Sequence, residues 1–356
     1  MKIDKNTIYL SSITFGLILI SILGLSYVMS KTAEQKIYMT INSYVGQKGS
    51  FIQGLSLKFD RDDISCLGLV SFDCKIQNPI LYVPSKGLDL FTAKEIEIGT
   101  FSRNGINIRQ RNLNFYIKGK DIKYIDGNPL VTNMTKKGKE ISSKIYPFNI
   151  EATMNIKRFS NGEADGKIDF AFNSKIANLS FNTDIDVIES RKIVYLDNKL
   201  HLVDELNATA GAKLGGKFNT LLNSFSIKTE NKDIFNFLYL VYEYYYTGTV
   251  DKDKQKQINL DFLNKDTFEK LTKVDFKKEF KNRLLEMIPD AEEKELKEYI
   301  DSLIYLVMNE KSYTTISGTN KDNYTVEELS VLKRLDKLNK PWDYYNLKIK
   351  TGETKW

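Results

Sequence analysis

The stretch GKIDFAFNSKIANLSFNTDIDVI, Gly166 to Ile188, decides the fold class. Apolar and polar residues alternate along it, and this period of two indicates β-strands with one apolar and one polar face. The same rhythm occurs in FNIEATMNIKRF just before it, and in LSLKF, ILYV, LNFYIKG and KIVYL elsewhere. We therefore expect antiparallel sheet over much of the chain, with tight turns at dipeptides such as Asn161-Gly162 and Asp165-Gly166.

After residue 230 the pattern changes to that of helices. The segment NKDIFNFLYLVYEYYYTG, 231–248, is apolar on every side, and Phe235, Tyr239, Tyr242 and Tyr246 make one side aromatic. Such a helix predicts burial between two layers of structure. The alternative is an aromatic surface that contacts a lipid or a protein partner, because tyrosine tolerates one hydrated end.

The C-terminal segment has the clearest local signals. Thr325 and Glu328 form a T-x-x-E capping box at the start of an apolar-striped helix, and the runs SYTTISG and YYNLKIK on either side predict strands. The fold class is therefore predicted as α+β. The expected organisation is a membrane anchor, an antiparallel β-rich region with a polar linker, a helical block and a strand-helix-strand unit, at 1–30, 31–230 (linker 133–144), 231–310 and 311–356.

An N-terminal apolar segment predicts the anchor. IYLSSITFGLILISILGLSYVM, Ile8 to Met29, has no charged residue, and as a helix of about 22 residues it would extend roughly 33 Å, enough to cross a bilayer. A cleaved signal peptide is the alternative, although the run exceeds the usual h-region. Together with a disulfide between Cys66 and Cys74, which would indicate an oxidising compartment, this segment predicts a single-pass protein of the bacterial inner membrane with its C-terminal part in the periplasm.

Composition argues against several functional classes. The net charge of +6 is spread over the chain without a long basic block, so a nucleic-acid partner is not expected. The single histidine, His201, and the absence of phosphate-loop, serine-hydrolase and zinc-protease motifs leave no recognisable catalytic centre. We expect a non-enzymatic protein without cofactor or metal.

Cys66 and Cys74, the two cysteines of the chain, lie eight positions apart with Gly68 between them. The spacing does not suit a zinc site or a C-x-x-C redox pair. Because the two positions are an even number of residues apart, both side chains can lie on the same face of a hairpin and form a disulfide across it. Two unpaired buried cysteines are the alternative. A disulfide would indicate an oxidising compartment.

Asn207, in the sequence ELNAT, is a candidate glycosylation acceptor. The Asn-x-Thr triplet is the acceptor signal, and the acidic residue two positions earlier resembles the extended signal of bacterial oligosaccharyltransferases. An ordinary surface loop is the alternative.

The segment Val70 to Tyr124, which includes the phrase LFTAKEIEI, resembles the opening β module of AsmA/TamB-like periplasmic proteins. YPFNIEATMNIKRF and ADGKIDFAFNSKIANLSF also resemble its two-residue rhythm. The resemblance implies a curved sheet or groove with an apolar interior, a role in lipid handling or envelope maintenance, and the inner membrane and phospholipid as partners. It supplies no catalytic residues.

A second hypothesis is a structural accessory of a large envelope machine, such as a flagellar motor or a secretion system. Such a protein would bind protein partners through exposed sheet edges or through the tyrosine-rich helix.

Overall fold

A computed structural model gives the fold of the chain. It divides into two compact units, Met1–Asn128 and Pro129–Trp356. The described residues are 26–39, 56–68, 71–83, 87–102, 111–125, 136–189, 192–196, 199–203, 212–213, 218–247, 272–286, 294–334 and 344–354.

The first unit is antiparallel sheet with one helix in its described part. Strand β7 pairs with β6 in its middle and with β5 near its end. Two strand series, β2-β3-β6 and β1-β4-β5, therefore meet on β7. The elements are α1 (26–39), β1 (Ser56–Lys58), β2 (Ile64–Gly68), β3 (Ser71–Gln77), β4 (Ile80–Val83), β5 (Leu88–Thr92), β6 (Glu95–Ser102) and β7 (Asn112–Tyr124).

The core of the first unit lies between α1 and the β2-β3-β6 strands. Alternation along β3 buries Phe72, Cys74 and Ile76 and exposes the residues between them. Ala33 and Ile37 of α1 pack on this face. The sheet and the helix therefore share one apolar cluster.

The prediction of a transmembrane anchor is wrong. No helix in the described part of the chain is long and apolar enough to cross a membrane. Residues 8–25 of the predicted segment lie outside the described residues. Its last four residues begin α1, which carries Lys31, Glu34 and Lys36 and packs its apolar side on a protein core. The same finding contradicts the prediction of a single-pass inner-membrane protein with a periplasmic C-terminal part.

The second unit contains a sheet in the order β8-β9-β10-β14-β15-β16, in which every pair is antiparallel, and a small sheet in the order β12-β11-β13. Its strands are β8 (Phe148–Arg158), β9 (Ala164–Asn173), β10 (Ala177–Glu189), β11 (Lys192–Leu196), β12 (Lys199–Val203), β13 (Ala212–Lys213), β14 (Phe218–Asn231), β15 (Ser312–Asn320) and β16 (Tyr345–Glu353). Its helices are α2 (Lys136–Ile145), α3 (Ile234–Thr247), α4 (Lys273–Glu286), α5 (Lys294–Met308) and α6 (Val326–Arg334).

The boundary between the compact units follows Asn128. The predicted linker at 133–144 coincides largely with helix α2, which lies inside the second unit. The limits predicted near 230 and 310 are changes of element within that unit, because β14 before the helices pairs with β15 after them. The compact units thus join the later strands to the helices that the sequence pattern had separated.

The two adjacent turn dipeptides have different roles. Gly162 adopts a positive φ of 96° in the turn between β8 and β9, a conformation that glycine tolerates without steric cost. Asp165 and Gly166 lie within β9, opposite Lys157 and Ile156 of β8. A turn was expected there, and the structure corrects that expectation.

Candidate functional site

One face of the large sheet in the second unit is lined by apolar side chains such as Ala152, Phe170 and Phe181, and it is called here the apolar face. Its position is fixed by register, because Ala152, Phe170 and Phe181 lie opposite one another on β8, β9 and β10. Side chains at the same level of a sheet project to the same side. The next levels along these strands place Met154 beside Ile168, and Ile156 beside Gly166.

The apolar face continues across the other three strands. Phe181 lies opposite Ile227 of β14, which lies opposite Ile316 of β15 and, beyond it, Ile349 of β16. The six strands therefore present one continuous apolar level, about 24 Å wide at 4.8 Å per strand.

The side chains of the apolar face are mostly half-buried. Phe170 is 36% exposed, and Met154, Phe181, Ile227 and Ile349 are of intermediate exposure. In the cores of the described part, by contrast, Phe72 and Phe276 are fully buried. The apolar face is thus a partly accessible surface rather than a closed core.

Helix α5 lies against one end of the apolar face. Thr314 lies two residues before Ile316 in β15 and therefore on the apolar face. Its hydroxyl donates a hydrogen bond of 3.1 Å to the carbonyl oxygen of Ser302 in α5. Asn231, at the end of β14, donates from Nδ2 to the carbonyl oxygens of Leu306 (2.6 Å) and Asn309 (3.0 Å). These bonds fix the helices at the end of the sheet where β14 leads into α3.

Arg158 occupies the opposite end of the apolar face. It is the last residue of β8 and lies on the same face of the strand as Ile156 and Met154. Its partner across the hairpin is Ala164, which pairs in turn with Val187 of β10. The Arg158 side chain forms no hydrogen bond or ion pair with any residue that the structure describes. A cationic side chain of intermediate exposure therefore borders the apolar surface.

The other face of the sheet is polar and bonded within itself. Asn182 Nδ2 donates to Asp169 (2.6 Å), and Thr153 Oγ1 donates to the same carboxylate (3.2 Å). Lys228 donates to Glu230 (2.6 Å), and this bond lowers the pKa of the Glu230 carboxyl. These carboxylates already have partners, so the polar face is satisfied by its own cross-strand pairs.

An open groove of about 500 Å³ lies on the polar side. The Lys228 ammonium lies in it, 5.2 Å from the centre of the Tyr313 ring, as well as bonding Glu230. Because both signs of charge line this groove, it lacks the single-sign potential that concentrates a charged ligand. The lining residues are Lys228, Glu230, Tyr313, Thr315, Lys350, Glu353 and Thr354.

The helix predicted at 231–248 was expected to be buried between two layers, with an aromatic lipid or partner surface as the alternative. Phe235 and Tyr242 of α3 are 7% and 6% exposed, and they pack on Phe276 and Phe280 of α4. Tyr239 stacks edge-on against Phe276, and Tyr246 lies in the same helix. Residues of α4 and α5 cover Phe235 and Tyr242, so these two side chains belong to a core, as the apolar sides of the helix predicted.

The disulfide favoured by the sequence is present. Cys66 and Cys74 face each other in the β2-β3 hairpin, with their Cα atoms 4.1 Å apart, a separation typical of directly opposed antiparallel residues. Both cysteines are buried in the first unit's core. The candidate acceptor Asn207 lies outside the described residues.

Paired carboxylates occur on the outer face of the first unit's sheet. Lys120 bonds both Glu95 (2.8 Å) and Glu97 (2.7 Å), and Lys75 lies 2.9 Å from Glu97. The bond from Lys120, followed by one from Gln77, lowers the pKa of Glu95 to about 2. Lys120 and Lys75 also lower the pKa of Glu97. Carboxyls held ionised in this way are unsuited to general acid catalysis near neutral pH.

This network predicts an acid-sensitive part of the stability. Because the pKa of Glu95 is lower in the folded chain than its ordinary value of 4.5, the contribution is complete above pH 4.5 and is lost as the pH falls towards 2. Lys120 is 45% exposed, so we expect a contribution of about 1 kcal/mol. Thermal melts from pH 6 to pH 2.5 should show a smaller loss of Tm for Glu95→Gln than for the wild type.

The control for this experiment is Glu140→Gln in α2, an exposed residue with no ion pair in the described part of the chain. It should follow the wild-type curve. Equal slopes for the wild type and Glu95→Gln would contradict the assignment.

Comparison with known proteins adds no family. No protein-family model matches the chain, and no curated protein matches it. Within the described residues there is also no group of three or more histidine, cysteine or carboxylate side chains that could hold a metal ion.

Arg158 is the functional candidate that the sequence analysis missed, although a signal was present. In FNIEATMNIKRF the apolar positions are Phe148, Ile150, Ala152, Met154 and Ile156, and the next position of that parity is Arg158. An arginine at an apolar position of an alternating strand is a departure from the pattern, and such departures are expected at functional sites.

Proposed function

We propose that the protein is a non-enzymatic lipid-handling protein that binds acyl chains on the apolar face of the second unit. The single observation that carries the proposal is the half-buried state of this face over six strands, with Phe170 36% exposed. Extended apolar surface that a protein leaves partly accessible commonly marks an interaction site. The resemblance of the strand pattern to AsmA-like proteins supports the same function.

Dimensions favour an acyl chain as the ligand. From Ile150 to Arg158 the apolar positions of β8 cover eight residues, or about 27 Å. One acyl layer of a bilayer is about 15 Å thick, half of its hydrocarbon core. The face can therefore hold a whole chain along the strand direction.

The first test is the lipid content of the purified protein. The full chain, extracted with mild detergent from the cells that make it, should retain phospholipid at a defined molar ratio by mass spectrometry. A chain that carries no lipid and takes up none from mixed micelles would contradict the proposal.

A matched pair of variants tests the location of the lipid. Phe170→Gln removes the most exposed large side chain of the apolar face, and we expect a loss of about 1 kcal/mol of lipid contact, or roughly fivefold in retained lipid. Ala171→Gln places the same side chain on the polar face, since Ala171 pairs with Ser180 and Glu151, and should retain lipid like the wild type. Equal loss in both variants would mean that lipid binds elsewhere.

The scaffold hypothesis keeps one supporting observation. Strand β16 pairs with β15 on one side and is the last strand of the large sheet in the described part of the chain. A strand with a free edge can accept a strand from another protein. In that case purification would return a stoichiometric protein partner, and lipid would be absent.

A further inference from the structure

Arg158 identifies one end of the proposed lipid site. Its Cα follows Met154 and Ile156 on the apolar side of β8, and its cross-strand neighbour Ala164 is 6% exposed. Alternation sends Lys157, the adjacent cation, to the opposite face, where its ammonium lies 5.5 Å from the Phe159 ring centre. The two neighbouring cations thus differ in their surroundings.

The missing partner of Arg158 is chemically informative. Arg158 is of intermediate exposure, and a guanidinium at the edge of an apolar surface is placed to bind an anionic group of a ligand that lies on that surface. In the part of the chain that the structure describes, the Arg158 side chain has no ion pair or hydrogen bond. Its planar fork of donors fits the oxygens of a phosphate in a bidentate manner.

We propose that Arg158 binds the phosphate of an anionic phospholipid whose acyl chains lie on the apolar face. The phosphate lies at the turn end of β8 and β9. The chains pass from Arg158 over Ile156 and Met154 towards the end of the face where α5 packs. This places the polar part of the lipid where the sheet meets solvent and the chains where the side chains are apolar.

The inference rests on the proposed function and adds the residue that binds the phosphate and the orientation of the lipid. Charge complementarity selects the ligand, because an uncharged diacylglycerol fills the apolar face but leaves Arg158 without an anion. A lipid bound only through its acyl chains would bind equally well with or without Arg158.

The experiment compares two lipids that share their chains. The full chain is titrated with dioleoylphosphatidylglycerol and with dioleoylglycerol in the same non-ionic micelles, for the wild type, Arg158→Gln, Arg158→Lys and Lys157→Gln. We expect the wild type to prefer the phospholipid, and Arg158→Gln to weaken its binding about tenfold, the effect of losing one charge-assisted contact. Arg158→Lys should restore part of the affinity, and Lys157→Gln should bind as the wild type does.

The outcomes separate the two levels of the proposal. Binding of both lipids with no effect of Arg158→Gln would overturn the role of Arg158 and leave the lipid function intact. Binding of neither lipid would overturn the lipid function itself. An equal loss of affinity for both lipids in Arg158→Gln would overturn the choice of a phosphate head, because dioleoylglycerol has no phosphate. Circular dichroism melts of each variant exclude loss of fold as the cause.

Discussion

Replacement of Asn231 by alanine is expected to lower the free energy of unfolding by about 3 kcal/mol, because several buried partners would lose their hydrogen bonds at once. The Asn231 side chain is 1% exposed. Its Nδ2 donates to the carbonyl oxygens of Leu306 and Asn309, and its Oδ1 accepts from the backbone N–H of Ile234 at 2.8 Å. One amide therefore joins the end of β14, the start of α3 and the end of α5.

The size of the effect follows from what remains after truncation. Alanine would leave two carbonyl oxygens and the first N–H of α3 without this partner in a space too small for full hydration. Each buried group left unsatisfied costs about 1 kcal/mol or more. Urea unfolding monitored by circular dichroism measures the loss directly.

Asn236→Ala provides the matched control. Asn236 lies two residues into α3, and its Nδ2 bonds the Asp233 carboxylate in a partly exposed position. Water can replace that bond, so we expect a loss of about 0.5 kcal/mol. If both variants lose the same amount, the junction is not held by Asn231.

The sequence predicted local structure well where one residue pattern determines it. Thr325 and Glu328 form the expected capping box, with the Thr325 N–H 2.7 Å from Glu328 Oε2 and the Glu328 N–H 3.3 Å from Thr325 Oγ1. Alternation likewise predicted the strands of the large sheet. Both features depend on neighbours within a few positions, so no knowledge of the rest of the fold is needed.

Prediction was poorer where distant segments decide the outcome. For α3 the sequence predicted burial but could not name the covering residues, which are Phe276 and Phe280 of α4 for Phe235 and Tyr242. The segment before α1 is apolar enough to suggest a membrane helix, yet α1 itself packs on the sheet through Ala33 and Ile37. The polar segment predicted as a linker forms α2, in which Ile141 and Ile145 lie at helical spacing. Two apolar residues among lysines and serines are too few to predict a helix from the sequence.

For the candidate site, too, the sequence predicted the local pattern but not the features that depend on the whole fold. Alternation alone implied that the large sheet has an apolar face, but alternation is identical in a closed core and in an accessible groove. The exposure of Phe170 depends on which elements cover the sheet, and that is a property of the whole fold. Arg158 was visible in the sequence as a break in parity, and its lack of a partner among the described residues became evident in the structure.

Removal of the disulfide by the double substitution Cys66→Ala and Cys74→Ala is expected to lower the free energy of unfolding by about 2–3 kcal/mol. The bond closes a loop of eight residue steps, for which the chain-entropy model gives a contribution of this size. The cysteines are 4% and 1% exposed and contact Phe72 and Ile76 in one cluster, so alanine also removes packing there.

Reducing agent separates the effect of the bond from that of the side chains. In urea with dithiothreitol the wild type should unfold at a lower midpoint, since reduction frees the β2-β3 hairpin in the unfolded chain, whereas the double variant should have the same midpoint with and without reductant. The difference that persists between reduced wild type and variant then measures packing alone. A wild-type midpoint that does not respond to reductant, measured after equilibration from the unfolded side, would mean that the cross-link contributes nothing and that the packing of α1 on β3 holds the first unit by itself.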